Sequence, residues 1–146
     1  MTPEKQQILF DKYSLLFEYA RSKESKHSIA WGITCNDGWF DLIDTLCSTI
    51  DRLTLDRIQR RAQAGLPEEA NDIRVVQIKE KFGSLRFYVS GVPASGAEPN
   101  AFYAAIGAIE ALSSRICESC GAPATLEGER GWWTTECGPC RARRSG

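Results

Sequence analysis

The spacing of four cysteines constrains this chain more than any other feature. Two residues separate Cys117 from Cys120, two separate Cys137 from Cys140, and sixteen lie between the pairs. Two intervening residues let a tight turn aim both sulfurs at one point. Two such turns brought together supply four thiolates for a tetrahedral ion with Zn–S near ~2.3 Å. Gly121, Gly128 and Gly131 suit the turns, and Trp132, Trp133 and Thr134 suit a strand between them. So short a segment has little core of its own, so metal binding on the order of 10 kcal/mol would be folding energy. The spacing therefore predicts a structural zinc site made by Cys117, Cys120, Cys137 and Cys140.

Three other uses of these cysteines compete with that reading. Disulfides belong to oxidising compartments. Cys137-Gly-Pro-Cys140 matches a redox dithiol, but such a dithiol sits between a strand and a helix of a βαβ unit. Here Arg-Ala-Arg-Arg follows it instead. Catalytic zinc keeps one coordination position open, whereas four cysteines close the shell.

The rest of the chain is ordinary globular material: 146 residues, 42% apolar and 25% charged. With 18 basic and 19 acidic residues the formal net charge is −1. Bulk electrostatics thus do not draw it to nucleic acid or membrane. No stretch approaches the ~20 apolar residues of a membrane span, and residues 1–11 lack the apolar core of a signal peptide. A reducing cytoplasmic setting is expected, where paired cysteines mean metal.

Periodicity predicts a first helix over residues 4–24, with Ile8, Leu9, Tyr13, Leu15, Leu16, Phe17 and Tyr19 on a broad apolar face. A polar connector at 22–28 leads to a short apolar segment at 29–36 compatible with a strand. Asp37 suits the N-cap of a second helix running to about Ala64, where Gly65 and Pro67 stop it. Its apolar stripe is Phe40, Ile43, Cys47, Ile50 and Leu53, extended by Ile58 beyond a polar gap at Thr54.

Residues 73–90 predict a β-hairpin turning at Phe82-Gly83. Glu80 then faces Leu85, Ile78 faces Phe87 and Val76 faces Val89, while Lys79 and Arg86, Gln77 and Tyr88 share the opposite face. Phe is a poor residue for a primed turn, and a type I turn with Gly83 in a bulge serves equally well. A loop over 91–98 leads to a third helix from about Pro99 to Ile116, with Phe102, Ile106, Ile109, Leu112 and Ile116 inward. The order predicts an α+β protein: helices packed on a β-hairpin or small antiparallel sheet, with a C-terminal zinc ribbon. Residues 1–116 form the body and 117–146 the ribbon with its short basic tail.

Several surfaces are candidates for binding. Lys79, Lys81, Arg86 and Tyr88 gather on the polar face of the hairpin, and cations beside an aromatic suit phosphate and base contacts. An ordinary wet sheet face explains them too. Glu80, on the apolar face, would need a partner such as Arg74 or Arg115. Trp39 and Trp133 are candidate aromatic anchors; of the adjacent Trp132 and Trp133, one ring should point inward and one outward. Asp37, Asp41, Asp44 and Asp51 lie along one helical stripe that would suit a divalent cation, a basic partner or plain solvent. Arg141, Arg143 and Arg144 would suit phosphate, or simply solubility. Cys47 belongs to the apolar stripe, Cys35 has no matching base, and His27 is the only histidine, so no nucleophile–base arrangement emerges.

Three segments carry a resemblance. They are Asp37-Gly-Trp-Phe-Asp-Leu-Ile-Asp44, Val76-Gln-Ile-Lys-Glu-Lys-Phe-Gly-Ser-Leu-Arg-Phe-Tyr88, and Ile116-Cys-Glu-Ser-Cys-Gly121 with Gly131-Trp-Trp-Thr-Thr-Glu-Cys137. In this order, over about residues 35–140, the chain resembles a group of small uncharacterised bacteriophage and prophage proteins. That group supplies no activity and no catalytic residue to carry over. The resemblance implies a phage-encoded accessory protein acting in a bacterial cytoplasm on a host component.

The leading expectation is therefore a non-enzymatic, zinc-containing binding protein. Its contact surface is the hairpin face (Lys79, Lys81, Arg86, Tyr88), with Trp39 and Trp133, and its partner is a host protein or a nucleotide-type ligand. The alternatives are a nucleic-acid-binding ribbon using Arg141, Arg143 and Arg144, and a phosphoryl-transfer enzyme holding a metal on Asp41 and Asp44.

Overall fold

The computed structural model describes residues 1–22, 24–67, 72–93, 98–129 and 131–144; the side chains of Glu98 and Glu129 lie outside that description. The expected loop over 91–98 falls partly outside it, at 94–97. Among the described residues the architecture is α+β: five α-helices, two short 3₁₀ helices and two separate two-stranded antiparallel sheets.

The first helical segment is shorter than its apolar pattern predicts. α1 spans Pro3–Lys12, an irregular turn follows, and α2 is a single turn, Glu18–Arg21. Hydrogen bonding accounts for the break. The Leu16 carbonyl leaves the helical ladder to accept the Val75 N–H at 2.8 Å, and the Tyr13 hydroxyl donates to the Asp44 carboxylate at 2.9 Å. Leu9, Tyr13, Leu16 and Phe17 are buried and reach the core without a continuous helix, whereas Ile8 and Leu15, expected on the same apolar face, are exposed.

The segment at 29–36 is not a strand. Ser28–Trp31 forms a 3₁₀ turn packed against the hairpin, and Thr34 makes a single bridge to it, exchanging backbone bonds with Ile78 and Glu80. Asp37 likewise is not a helix N-cap. It opens a 3₁₀ turn, Asp37–Trp39, and its carboxylate accepts from the Thr2 N–H at 2.7 Å and the Thr2 hydroxyl at 3.1 Å.

The long helix α3, Phe40–Gln63, follows that turn directly. It ends as expected, with Gly65 at φ 65° and the Leu66 N–H returning to the Arg61 carbonyl. Ile43, Leu46, Cys47 and Ile50 are completely buried. Beyond them the inward stripe passes through Thr54 and Arg57, not Ile58, which is exposed. Thr54 satisfies its hydroxyl on the Ile50 carbonyl one turn back.

β1, Arg74–Lys81, and β2, Ser84–Ser90, pair in the predicted register from Lys81–Ser84 to Gln77–Tyr88. A bulge between Val75 and Gln77 then shifts the pairing, so Val75 rather than Val76 faces Val89. The bulge turns Val75 fully inward. The hairpin turns at Phe82 and Gly83, with φ of 53° and 73°, the primed form whose twist matches the strands. Glu80 needs neither Arg74 nor Arg115 at the turn: its carboxylate accepts the Gly83 N–H at 2.5 Å.

Both hairpin edges are covered. Helix α4, Glu98–Ser113, lies along β2, where Ser113 Oγ accepts the Leu85 N–H and Glu110 accepts the Phe87 N–H, each at 2.8 Å. Thr34 and Leu16 serve β1. Phe102 and Ile106 bury the inward face of α4, whereas Leu112, expected inside, is exposed.

Candidate metal centre and its contact surface

The C-terminal segment is a ribbon: β3, Thr125–Glu129, pairs antiparallel with β4, Trp132–Glu136, and α5, Gly138–Arg144, closes it. The first cysteine turn is held by backbone bonds. The Gly121 N–H returns to the Cys117 carbonyl at 2.9 Å, the Cys117 N–H to Ala122 at 2.7 Å, and the Glu118 N–H reaches Thr135 on β4 at 2.9 Å. The second cysteine pair runs into α5.

The Sγ atoms of Cys117, Cys120, Cys137 and Cys140 all lie within 4.8 Å of one another. Cys120 and Cys137 sulfurs are 3.6 Å apart, well beyond a disulfide bond. A tetrahedral ion with Zn–S of ~2.3 Å would set sulfurs about 3.8 Å apart, so the cluster fits a tetrahedral metal. Among the described residues no other group of three or more His, Cys, Asp or Glu side chains gathers in this way.

The electrostatics point the same way. Burial pushes the Cys117 thiol up, but N–H groups of Cys137, Cys120 and Ser119 aimed at its sulfur outweigh that and bring it to about 7. Hydrogen bonding with the Cys120 and Cys137 thiols, then burial, pushes Cys140 up to about 12. Four sulfurs meeting at one point cannot all ionise without a cation between them. Arg143 adds a donor at 3.0 Å from the Cys140 sulfur. Cys35 and Cys47 are buried, which pushes Cys35 up to about 12 and Cys47 well up as well; both are inert thiols.

The ribbon is fastened to the body at two places. At the first, the Gly38 N–H donates to Glu118 at 2.7 Å, Glu118 accepts the Asn36 N–H at 2.9 Å, and the Trp39 indole N–H donates to Ile116 at 2.8 Å. Trp39 is completely buried. It cannot belong to an accessible contact surface; it joins the start of α3 to the cysteine turn. At the second place, the hairpin tip enters the ribbon: Thr135 Oγ1 donates to the Gly83 carbonyl at 2.6 Å, and Gly83 packs against Leu126 and the backbone of β4.

The other candidates separate into committed and available groups. Asp37 is occupied by Thr2 and Lys5, and Asp44 by Lys12 at 2.7 Å and Tyr13. Arg141 pairs with Glu127, and Arg144 with Glu136 at 3.1 Å, folding the basic tail back onto its own ribbon. Arg86 is turned towards Glu110 on α4, 4.0 Å away, and is half-buried. Lys79 and Lys81 are different, because neither makes an ion pair among the described residues. Their ammonium groups lie 5.7 Å from the Tyr88 ring and 5.3 Å from the Phe82 ring respectively.

Neither Trp132 nor Trp133 points into a core: they are 71% and 47% exposed. Trp133 lies flat over the backbone of Gly128, its partner across the ribbon, where any Cβ would strike the indole. With Phe82, 64% exposed, these rings surround a hollow of about 340 Å³ between the hairpin tip and the ribbon turn. Phe82 and Trp132, which border this hollow, are not among the residues singled out from the sequence; the two tryptophans beside Gly131 and the phenylalanine before Gly83 are the signal that points to them. No protein-family model matches the chain, nor does any curated protein or solved structure.

Proposed function

We propose that this chain is a non-enzymatic, zinc-stabilised binding protein, a phage accessory factor that engages a host component in the bacterial cytoplasm. Its contact surface runs from Lys79, Lys81 and Tyr88 on the hairpin to Phe82 and Trp133 at the ribbon junction. The observation that carries the reading is the segregation, on this one face, of two lysines that make no ion pair among the described residues and several exposed rings, beside a closed four-cysteine site. Large exposed aromatics held on a rigid support suit a binding anchor. The resemblance in motif order supports the phage setting. Zinc is the metal that four thiolates in tetrahedral array favour; bound there, it would supply folding energy and a fixed ribbon geometry, not a reactive centre.

The test is native mass spectrometry of the chain purified from bacterial lysate, alone and with Lys79 and Lys81 both changed to Ala. One zinc per chain is expected, with a retained host molecule that the double variant loses. A metal-free chain, or retention unaffected by the two changes, would remove this reading. The nucleic-acid reading through Arg141, Arg143 and Arg144 is weakened by the ion pairs of Arg141 and Arg144.

A further inference from the structure

Resting on that reading, we infer that the hollow between the hairpin tip and the ribbon turn is a nucleobase-phosphate site. A base would stack against Trp132 and Phe82, with its phosphate at Lys81. The hollow has the size of a small-ligand pocket, about 340 Å³, and its walls come from two elements held against each other at Gly83. Its rims are aromatic side chains: Phe82 from the hairpin, Trp132 and Trp133 from the ribbon. Its one free cation among the described residues is Lys81, and Lys79 follows two residues along the same face, beside Tyr88.

Glu80 also borders the hollow; one carboxylate oxygen is held by the Gly83 N–H, which fixes its position at the tip without cancelling its charge. The rest of the described lining is three rings, Gly131 and the Lys81 ammonium. A flat π-system satisfies the rings and an anion satisfies the lysines. A nucleotide unit carries both within one small ligand, as in single-strand binders that alternate stacking rings with cations. An acidic peptide would satisfy the lysines but leave the rings without a flat partner. A purely apolar segment would bury Lys81 without a counter-charge.

Shared chemistry leaves two sources, a free nucleotide and a single strand. The indole N–H signals of the zinc-loaded protein separate them in two-dimensional NMR, assigned through single Trp→Phe variants. Titration with adenosine 5′-monophosphate should move the Trp132 and Trp133 signals saturably and leave Trp39, buried and bonded to Ile116, in place. If only a hexadeoxythymidylate strand moves them, the source is a single strand, and the site stands in either case. Trp132→Ala should weaken binding about tenfold, as loss of one stacked ring does. Trp132→Phe should restore most of it, and Lys81→Ala should weaken the phosphate-bearing probes but not adenosine itself. Unmoved indoles with both probes, or an acidic peptide moving them when neither probe does, would overturn the inference. If zinc loading and Lys79/Lys81-dependent retention persist while the indoles stay unmoved, this site falls and the broader binding reading remains.

Discussion

Gly38 has no room for a side chain beside the cysteine turn. A Cβ there would stand 2.2 Å from the Cys117 carbonyl, 2.5 Å from the Gly121 nitrogen and 2.6 Å from the Glu118 carbonyl, all backbone atoms that cannot yield cheaply. Gly38→Ala should therefore cost about 2–3 kcal/mol in chemical denaturation of the zinc-loaded protein, as overpacking of a fixed site does. Phe82 is the opposite case. It occupies left-handed backbone at φ 53° with its side chain mostly in solvent, a conformation costing a non-glycine residue roughly 1 kcal/mol. Phe82→Asn should raise stability by about 0.5–1 kcal/mol, because Asn tolerates that region, while weakening nucleotide binding at the hollow. A gain in stability with binding unchanged would show the ring to be idle. Asp37 supplies a pH signature. The Thr2 N–H, then its hydroxyl and Lys5, holds the carboxyl below its ordinary value of 3.8, so the folded-state pKa is depressed. The associated stability is complete well above pH 3.8 and lost as pH falls through the lowered value. Wild type and Asp37→Asn should thus converge in a series of denaturation curves taken downwards from pH 5, and a constant gap would contradict this.

At the scale of elements, the ribbon and the body meet through backbone groups that exist only in the folded cysteine turn. The Ile116 and Glu118 carbonyls receive the Trp39 indole and the Gly38 N–H, and Thr135 receives the Glu118 N–H while its hydroxyl holds Gly83. Stripping the metal with a chelator under reducing conditions should then loosen the start of α3 and the hairpin tip as well as the ribbon. Hydrogen exchange at Gly38 and Gly83 should accelerate together with exchange in β4; exchange confined to 117–144 would show the ribbon to be an independent appendage. This coupling was not legible in the sequence, although its parts were. Cysteine spacing located the sulfur cluster because two-residue loops leave little geometric freedom. Alternating side chains set the hairpin register because a one-residue slip would have exposed Ile78, Leu85 and Phe87. Local pattern failed where a distant group decided the outcome. Leu16 abandons a helix to serve Val75, Asp37 abandons a cap for Thr2, and Trp39 is core because Ile116, far along the chain, offers its indole a carbonyl.

Across the whole molecule, charge is nearly balanced at −1, and most of the cations named here are already paired: Lys12 with Asp44, Arg74 with Glu18, Arg86 with Glu110, Arg141 with Glu127 and Arg144 with Glu136. Lys79 and Lys81 make no ion pair among the described residues, and they adjoin exposed rings. This distribution fixes how binding of a single strand should respond to salt. Each phosphate neutralised contributes about −0.7 to the slope of log affinity against log salt, so two lysines predict a slope near −1.4. Lys79→Ala and Lys81→Ala should each flatten it by about half. Arg143→Ala should leave it unchanged, since that side chain turns to the Cys140 sulfur. A tail engaging phosphate through Arg141, Arg143 and Arg144 would give a slope of about −2 or steeper and would first have to break its ion pairs to Glu127 and Glu136. Anisotropy titrations of a labelled hexanucleotide at several salt concentrations distinguish the two slopes, and the steep one would move the site from the hairpin–ribbon junction to α5.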